Sequence, residues 1–256
     1  MLDFSLENGV ATLRLNRPQV FNSVNRELAL ALQARLRECQ ADARVRAVVL
    51  TGTGKAFCAG QDLGEIIGPN RPEVADIVAE LYNPIVLLLR ELDKPVLAAV
   101  NGVAAGAGAN LALACDVVVA CESAAFVQAF SKIGLVPDSG GTYFLPRLVG
   151  LQKASALMLL GDKVPAAEAE RMGMIYRVFN NETFEQEVAA LAQKLAALPT
   201  KALAYTKQLL NGTFGHDLAH QLRAEGDYQL RASQTADYQE GVTAFLEKRP
   251  AAFTGQ

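Results

Sequence analysis

The chain has no tryptophan and only two histidines, His216 and His220, among its 256 residues. The pair is spaced i, i+4, but no glutamate follows the first histidine as a zinc metalloprotease requires, so we read it as the polar face of a surface helix. Cysteine is scarce as well. Cys39, Cys58, Cys115 and Cys121 lie in apolar or helical contexts without zinc-ligand spacing, which points to reduced packing residues. No apolar run approaches the roughly 18–20 residues of a membrane helix. No basic segment followed by an apolar stretch is visible near Met1, so the expected location is cytoplasmic. The formal net charge of −3 argues against a general nucleic-acid or membrane-surface role, although a local basic patch for a phosphate stays open.

What is present is a large supply of core. Apolar residues make up 51% of the chain, enough for one large domain or a domain with an appendage. Asn8-Gly9 separates two short apolar runs, a hairpin signal. Leu28, Leu32, Leu36 and Cys39 recur at helical spacing. The runs 47–51, 96–100 and 117–120 are continuous and rich in β-branched residues, as strands buried on both faces are. Between them lies a predicted helix over 73–91, with a kink or break expected at Pro84. After about Thr142 the strands thin out, leaving one late strand over 175–179 and a series of helices. The expected fold is α/β: a core over 1–195 carrying the site, and a helical region over 196–256 that buries its stripes on the core or on another subunit.

Two glycine turns stand out, Phe57-Cys58-Ala59-Gly60-Gln61-Asp62-Leu63 and Asn101-Gly102-Val103-Ala104-Ala105-Gly106-Ala107-Gly108. Each follows a strand and leads to a helix. Neither carries a phosphate-loop Lys-Ser/Thr, and the glycines do not fit dinucleotide spacing. Brought side by side, such turns aim main-chain N–H groups at one point, which stabilises a carbonyl oxygen gaining negative charge. Asp138, in Val136-Pro137-Asp138-Ser139-Gly140-Gly141, has two readings. It caps the helix beginning near Thr142, or it is a general base whose pKa is raised because Val136 and Pro137 keep water away. Asp62 reads first as a helix N-terminal carboxylate.

These segments, together with Asn16-Arg17-Pro18, Asn22-Ser23-Val24 and Gly140-Gly141-Thr142, resemble the crotonase (enoyl-CoA hydratase/isomerase) superfamily, in register as far as Phe245-Leu246-Glu247-Lys248-Arg249. The resemblance implies a spiral of ββα turns with a C-terminal helical trimerisation region. It implies an acyl-CoA substrate, no separate cofactor or metal, and a trimer or dimer of trimers. The oxyanion-hole N–H groups fall on Gln61 and Ala107, where only the backbone is used. Val24, Lys55, Phe57 and Ala59 border the CoA, Asp62 and Leu63 follow in the same motif, and Phe245 and Lys248 approach the CoA phosphate. Hydratases of the superfamily carry two glutamates where this chain has Asn110 and Phe130, so the resemblance implies poor hydration. It favours isomerisation by Asp138 alone, with Phe130 lining an apolar pocket; Asn110 either orients the acyl group or serves packing or a surface hydrogen bond. Within the superfamily the motifs are nearest to isomerases that turn a ring-epoxidised phenylacetyl thioester into an oxepin and shift a 3,4 double bond to the 2,3 position. The alternatives are a hydratase or another lyase of the superfamily, or a non-enzymatic member. Dehalogenases of the superfamily use a matching aspartate as nucleophile, but beside a tryptophan, which this chain lacks.

Overall fold

The structure, a computed structural model, describes residues 1–67 and 71–256. It opens with the expected hairpin. Strands β1 (Leu2–Glu7) and β2 (Val10–Leu15) pair antiparallel, and Asn8 and Gly9 both take positive φ in the turn. Helix α1 (Arg26–Ala41) is capped by the Asn25 side chain, which accepts from the Leu28 N–H, and buries the Leu28–Leu32–Leu36–Cys39 stripe.

Three successive crossings then each give one strand to each of two sheets: β3 (Ala47–Gly52) then β4 (Ala56–Cys58), β5 (Val96–Val100) then β6 (Val103–Ala105), and β7 (Val117–Cys121) then β8 (Ala125–Val127). Helix α4 (Ala107–Leu113) follows the second crossing. Between β4 and β5 the chain runs through α2 (Val74–Asp76), a π-helical stretch over Ile77–Tyr82, and α3 (Asn83–Glu91). The irregularity expected at Pro84 is therefore a π turn directly before it: Pro84 sits in the first turn of α3, where its missing N–H costs little.

The later elements are α5 (Gly141–Val149), α6 (Leu151–Leu160), β9 (Lys163–Pro165), α7 (Ala166–Arg171), β10 (Arg177–Phe179), α8 (Phe184–Ala197), α9 (Thr200–Gly212), α10 (Leu218–Ser233) and α11 (Ala236–Glu247). The larger sheet has the order β1-β2-β3-β5-β7-β10 and is parallel from β2 onward; the smaller has the order β4-β6-β8-β9, with only β9 antiparallel. This is the ββα spiral expected. Strands β4, β6 and β9 have three residues each and were not separable from the turns beside them in the sequence.

Strands β3 and β5 are buried throughout, which explains their unbroken apolar runs. Helix α9 is tied to this core by Lys207, whose Nζ lies 2.8 Å from Asp116 and donates to the Leu89 carbonyl at 2.7 Å.

The spiral is tight because glycines let backbone meet backbone. A Cβ at Gly102 would lie 2.2 Å from the Lys55 carbonyl oxygen, and one at Gly108 would lie 2.3 Å from that of Cys58. Gly108→Ala should push α4 away from β4 and destabilise the fold by about 1–3 kcal/mol, read as a lower Tm in thermal unfolding. An unchanged Tm would show that the approach of α4 to β4 is not constrained at this point.

Candidate active site

Two peptide N–H groups converge where the turns meet. A parallel bridge joins Val24 to Gln61: the Val24 N–H donates to the Gly60 carbonyl at 2.7 Å, and the Asp62 N–H to the Val24 carbonyl at 2.9 Å. That alternation turns the Gln61 N–H to the other side. In the second turn Gly106, at φ +52, donates to the Val127 carbonyl and begins α4, so the Ala107 N–H is one of the first-turn donors with no intrahelical acceptor. Among the described residues neither amide has a partner. Gly60, at φ +90, brings them together: a Cβ there would lie 2.9 Å from the Ala105 carbonyl oxygen and 3.4 Å from the Ala107 nitrogen.

Several side chains hold the first turn. Arg17 pairs with Asp62 at 2.8 Å and donates to the Ser23 carbonyl at 2.6 Å. Buried Asn22 donates to the carbonyls of Thr53 and Ala56. Asp62 also caps the short 3₁₀ helix Leu63–Ile66 by accepting from the Gly64 N–H, as its place in the turn suggested.

Tyr82 is assigned no role of its own by the sequence. It ends the π stretch, is 1% exposed, and donates its hydroxyl to the Gln61 side-chain oxygen at 3.0 Å. The other end of the Gln61 amide donates to Glu65 at 3.3 Å, and Glu65 in turn accepts the Arg26 N–H at the start of α1. Burial drives the Tyr82 phenol well above its ordinary value, so it stays a donor.

Asp138 does not cap α5. That helix begins after Gly140 with no side-chain cap, and only the Asp138 carbonyl takes part, accepting from the Gly141 N–H at 2.9 Å. Burial pushes the Asp138 carboxyl above its usual range, and the Ser139 hydroxyl, donating to Oδ1 at 2.8 Å, partly offsets this. Ser139 is 1% exposed and, at φ +51, one of few non-glycine residues in the left-handed region. The shielding expected from Val136 is absent: its side chain is 80% exposed, because the 131–136 segment runs along the surface. Of the two readings of Asn110, the structure shows the packing one: it is fully buried and donates to the Asp138 carbonyl at 2.9 Å. Phe130 is buried with its ring against Gly106, next to the Ala107 amide.

Around this centre the expected residues divide. Leu63 is half exposed and lines a groove of about 440 Å³ with Ile66, Ile67, Ile133 and Leu135, to which Arg71 and Glu73 add charged groups. Lys55 is exposed and Ala59 partly so, whereas Val24 and Phe57 are fully buried. Their side chains are core of the first crossing, so only Lys55 and Ala59 offer side-chain surface to a ligand there. Phe245, 83% exposed, lies on α11 in a separate apolar groove with Pro199, Tyr238, Leu246 and Phe253. Lys248 is exposed at the left-handed end of α11. All four cysteines are free and buried, and among the described residues no cluster of metal ligands is present and no helix is long and apolar enough to cross a membrane.

Residues 5–256 match the family described as enoyl-CoA hydratase/isomerase. The chain belongs to this family. It is similar to the 1,2-epoxyphenylacetyl-CoA isomerase of Escherichia coli (strain K12), 48% identical over 263 residues that span 100% of both chains. It is also similar to the crotonyl-CoA hydratase of Syntrophomonas wolfei, 34% identical over 96% of this chain and 95% of that one. Among solved structures, the enoyl-CoA hydratase of Bacillus anthracis superposes with a TM-score of 0.95 at 33% identity, covering 100% of this chain and 99% of that one. The first two of these relatives are named for reactions of acyl-CoA thioesters, and the unpartnered amides and the partly buried Asp138 carboxyl are groups suited to such work.

The raised pKa of Asp138 has a consequence for stability. Between its unfolded and its folded pKa the native state holds the proton more tightly, so the contribution of this group falls as pH rises through the folded value. Asp138→Asn removes the desolvated charge. Its Tm should exceed that of the wild type at mildly alkaline pH, with the gap closing as the pH is lowered. A gap that widens on acidification would contradict the burial described here.

Proposed function

We propose that this protein is an acyl-CoA isomerase that moves a proton along a conjugated thioester with Asp138 as its single acid–base group. The reading is carried by one observation: a partly buried, raised carboxyl at Asp138, while the carboxylates of the first turn are engaged elsewhere, Asp62 with Arg17 and Glu65 with the start of α1. Adding water needs one group to activate it and another to manage the proton at the neighbouring carbon. Allylic isomerisation needs only one.

In the proposed cycle the thioester oxygen accepts from the Gln61 and Ala107 N–H groups. The Asp138 carboxylate takes a proton from the carbon alpha to the thioester, and the electron pair moves onto that oxygen as an enolate. The two amides hold the charge. The protonated Asp138 then returns the same proton to the far carbon of the conjugated system, and the double bond settles beside the carbonyl. For a 3-enoyl-CoA the far carbon is C4 and the product is a 2-enoyl-CoA. For 1,2-epoxyphenylacetyl-CoA, the substrate suggested by the E. coli relative, the arene oxide opens to its seven-membered oxepin form and the proton returns to a ring carbon. Both reactions are isomerisations, with no atoms gained or lost and no cofactor beyond the CoA of the substrate.

The groove at Leu63, Ile133 and Leu135 is the proposed place of the acyl group; Phe130, packed against Gly106, is proposed to line the apolar end of the substrate, and Lys55 and Ala59 to border the CoA. Lys248 and Phe245 are proposed to meet the CoA phosphate and its surroundings across a subunit boundary. The exposed Leu218, Leu222, Leu230, Phe245 and Leu246 support a homo-oligomer, trimer or dimer of trimers, built by the region from 196 onward. A cytoplasmic location, consistent with four free thiols, completes the proposal.

The test is an assay of wild type and Asp138→Asn on 3-hexenoyl-CoA, 1,2-epoxyphenylacetyl-CoA and crotonyl-CoA. Wild type should isomerise the first two, and the variant should lose about 10²–10⁴-fold in kcat on both. Thioester affinity should change little, because binding rests on main-chain donors. Ready hydration of crotonyl-CoA by the wild type would favour the hydratase reading instead.

A further inference from the structure

We infer that Asn110 and Gln128 form a relay that fixes the loop carrying Asp138, so that both are positioning residues for the proton transfer proposed above. The relay rests on that reading for its catalytic consequence but not for its geometry. Gln128 follows β8 and is 5% exposed; its Nε2 donates to the Asn110 Oδ1 at 2.7 Å. Asn110, on the last turn of α4, donates from Nδ2 to the Asp138 carbonyl at 2.9 Å.

The order of donors matters. An amide has a donor end and an acceptor end, and the Asp138 carbonyl can use only the donor. Because Gln128 offers an N–H to the Asn110 oxygen, the nitrogen is turned to the carbonyl. The room for this is built in: a Cβ at Gly141 would lie 2.3 Å from the Asn110 Nδ2, so the first residue of α5 leaves the space that Asn110 fills. The Gln128 Oε1 is itself buried without a partner among the described residues, a cost that the fold bears at this point.

The Asp138 carbonyl thus accepts from both Asn110 and the Gly141 N–H, while the next residue, Ser139, is held in the left-handed region. With the peptide between Asp138 and Ser139 pinned, the carboxyl is aimed by one side chain on a fixed backbone, steadied by the Ser139 hydroxyl. The same α4 supplies the Ala107 N–H at its start, three residues before Asn110. One short helix therefore sets the distance between the oxyanion donor and the base.

Asn110→Ala, Asn110→Asp and Gln128→Leu test this on 3-hexenoyl-CoA. Both Asn110 variants should lose about 10- to 100-fold in kcat with KM within about twofold, because the base is misaimed and not removed. Their acid limb in the pH–rate profile should also move, since the loop sets the burial of Asp138. Gln128→Leu should lose less, about three- to tenfold, as the donor to the carbonyl remains. The double variant Asn110→Ala/Gln128→Leu should be no slower than Asn110→Ala alone. An unchanged kcat and pH profile in Asn110→Ala, a rise in KM alone, or additive losses in the double variant would overturn the relay. Crystal structures of Gln128→Leu and Asn110→Ala give an arm independent of turnover. Displacement of the Asp138–Ser139 peptide in Asn110→Ala supports the relay even if wild type proves not to be an isomerase, and an unmoved peptide refutes it. Should Asn110→Ala fail to fold, the kcat loss and altered Asn110 amide in Gln128→Leu decide the matter.

Discussion

The contact on which the site depends is backbone against backbone, where the first turn of α4 lies on the strand end at Cys58–Gly60. Gly108 faces the Cys58 carbonyl and Gly60 faces the Ala105 carbonyl, each at a distance that no side chain could share. This approach does two things at once. It closes the small sheet on the helix that follows it, and it brings Gly60, next to Gln61, up to the Ala107 nitrogen. In the proposed cycle the two amides would need no reorganisation when charge develops on the thioester oxygen, which is the condition under which such donors stabilise an oxyanion most. The polar groups nearby serve the same end. Arg17, Asn22, Tyr82 and Glu65 contact the peptide chain or the Gln61 side chain and so hold the turn, leaving the reactive face to main-chain atoms.

Against this rigid pair stands a carboxyl kept in an unfavourable setting. Burial raises the Asp138 pKa, and Ser139 adopts a backbone conformation that a β-carbon resists. Neither would persist unless the surrounding structure over-determined it. The Gly141 N–H, the Asn110 amide and the Ser139 hydroxyl supply that constraint from three directions. In the proposed cycle the features that destabilise the loop are those that would make Asp138 a usable base, because a carboxylate in full contact with water would be too weak to take a proton beside a thioester.

Much of this was legible in the sequence, and the reasons differ from residue to residue. Strands β3 and β5 were readable because burial on both faces requires unbroken apolar runs. The hairpin was readable because Asn8-Gly9 fits a turn that needs two positive φ values. The two glycine turns were readable because only glycine permits such close approach. Strands β4, β6 and β9 were not, since each is short and runs directly into a glycine turn or a helix. Val136 misled because an apolar residue beside a carboxylate suggests a shield, whereas direction is set by the loop. Asn110 was readable only as two alternatives: i+3 spacing from Ala107 placed it near the site but could not tell a buried tie from a substrate contact. Gln128 and Tyr82 gave no signal, as each meets its partner through the tertiary fold, 18 and 21 residues away in sequence.

A single acid that serves two carbons must meet a geometric condition that a two-acid site escapes. The carboxyl has to reach the carbon where it takes the proton and the carbon where it returns it, while the oxyanion stays on the same two amides. Moving the backbone between the steps would lose the second alignment in gaining the first. Rotation of one side chain about a fixed main chain avoids this. A pinned Asp138 carbonyl with a carboxyl restrained by one neighbouring hydroxyl is the arrangement that condition calls for. The rigidity of the backbone and the economy of the catalytic set are thus one constraint: the fewer the groups that carry the proton, the more closely the chain around the remaining one must be held.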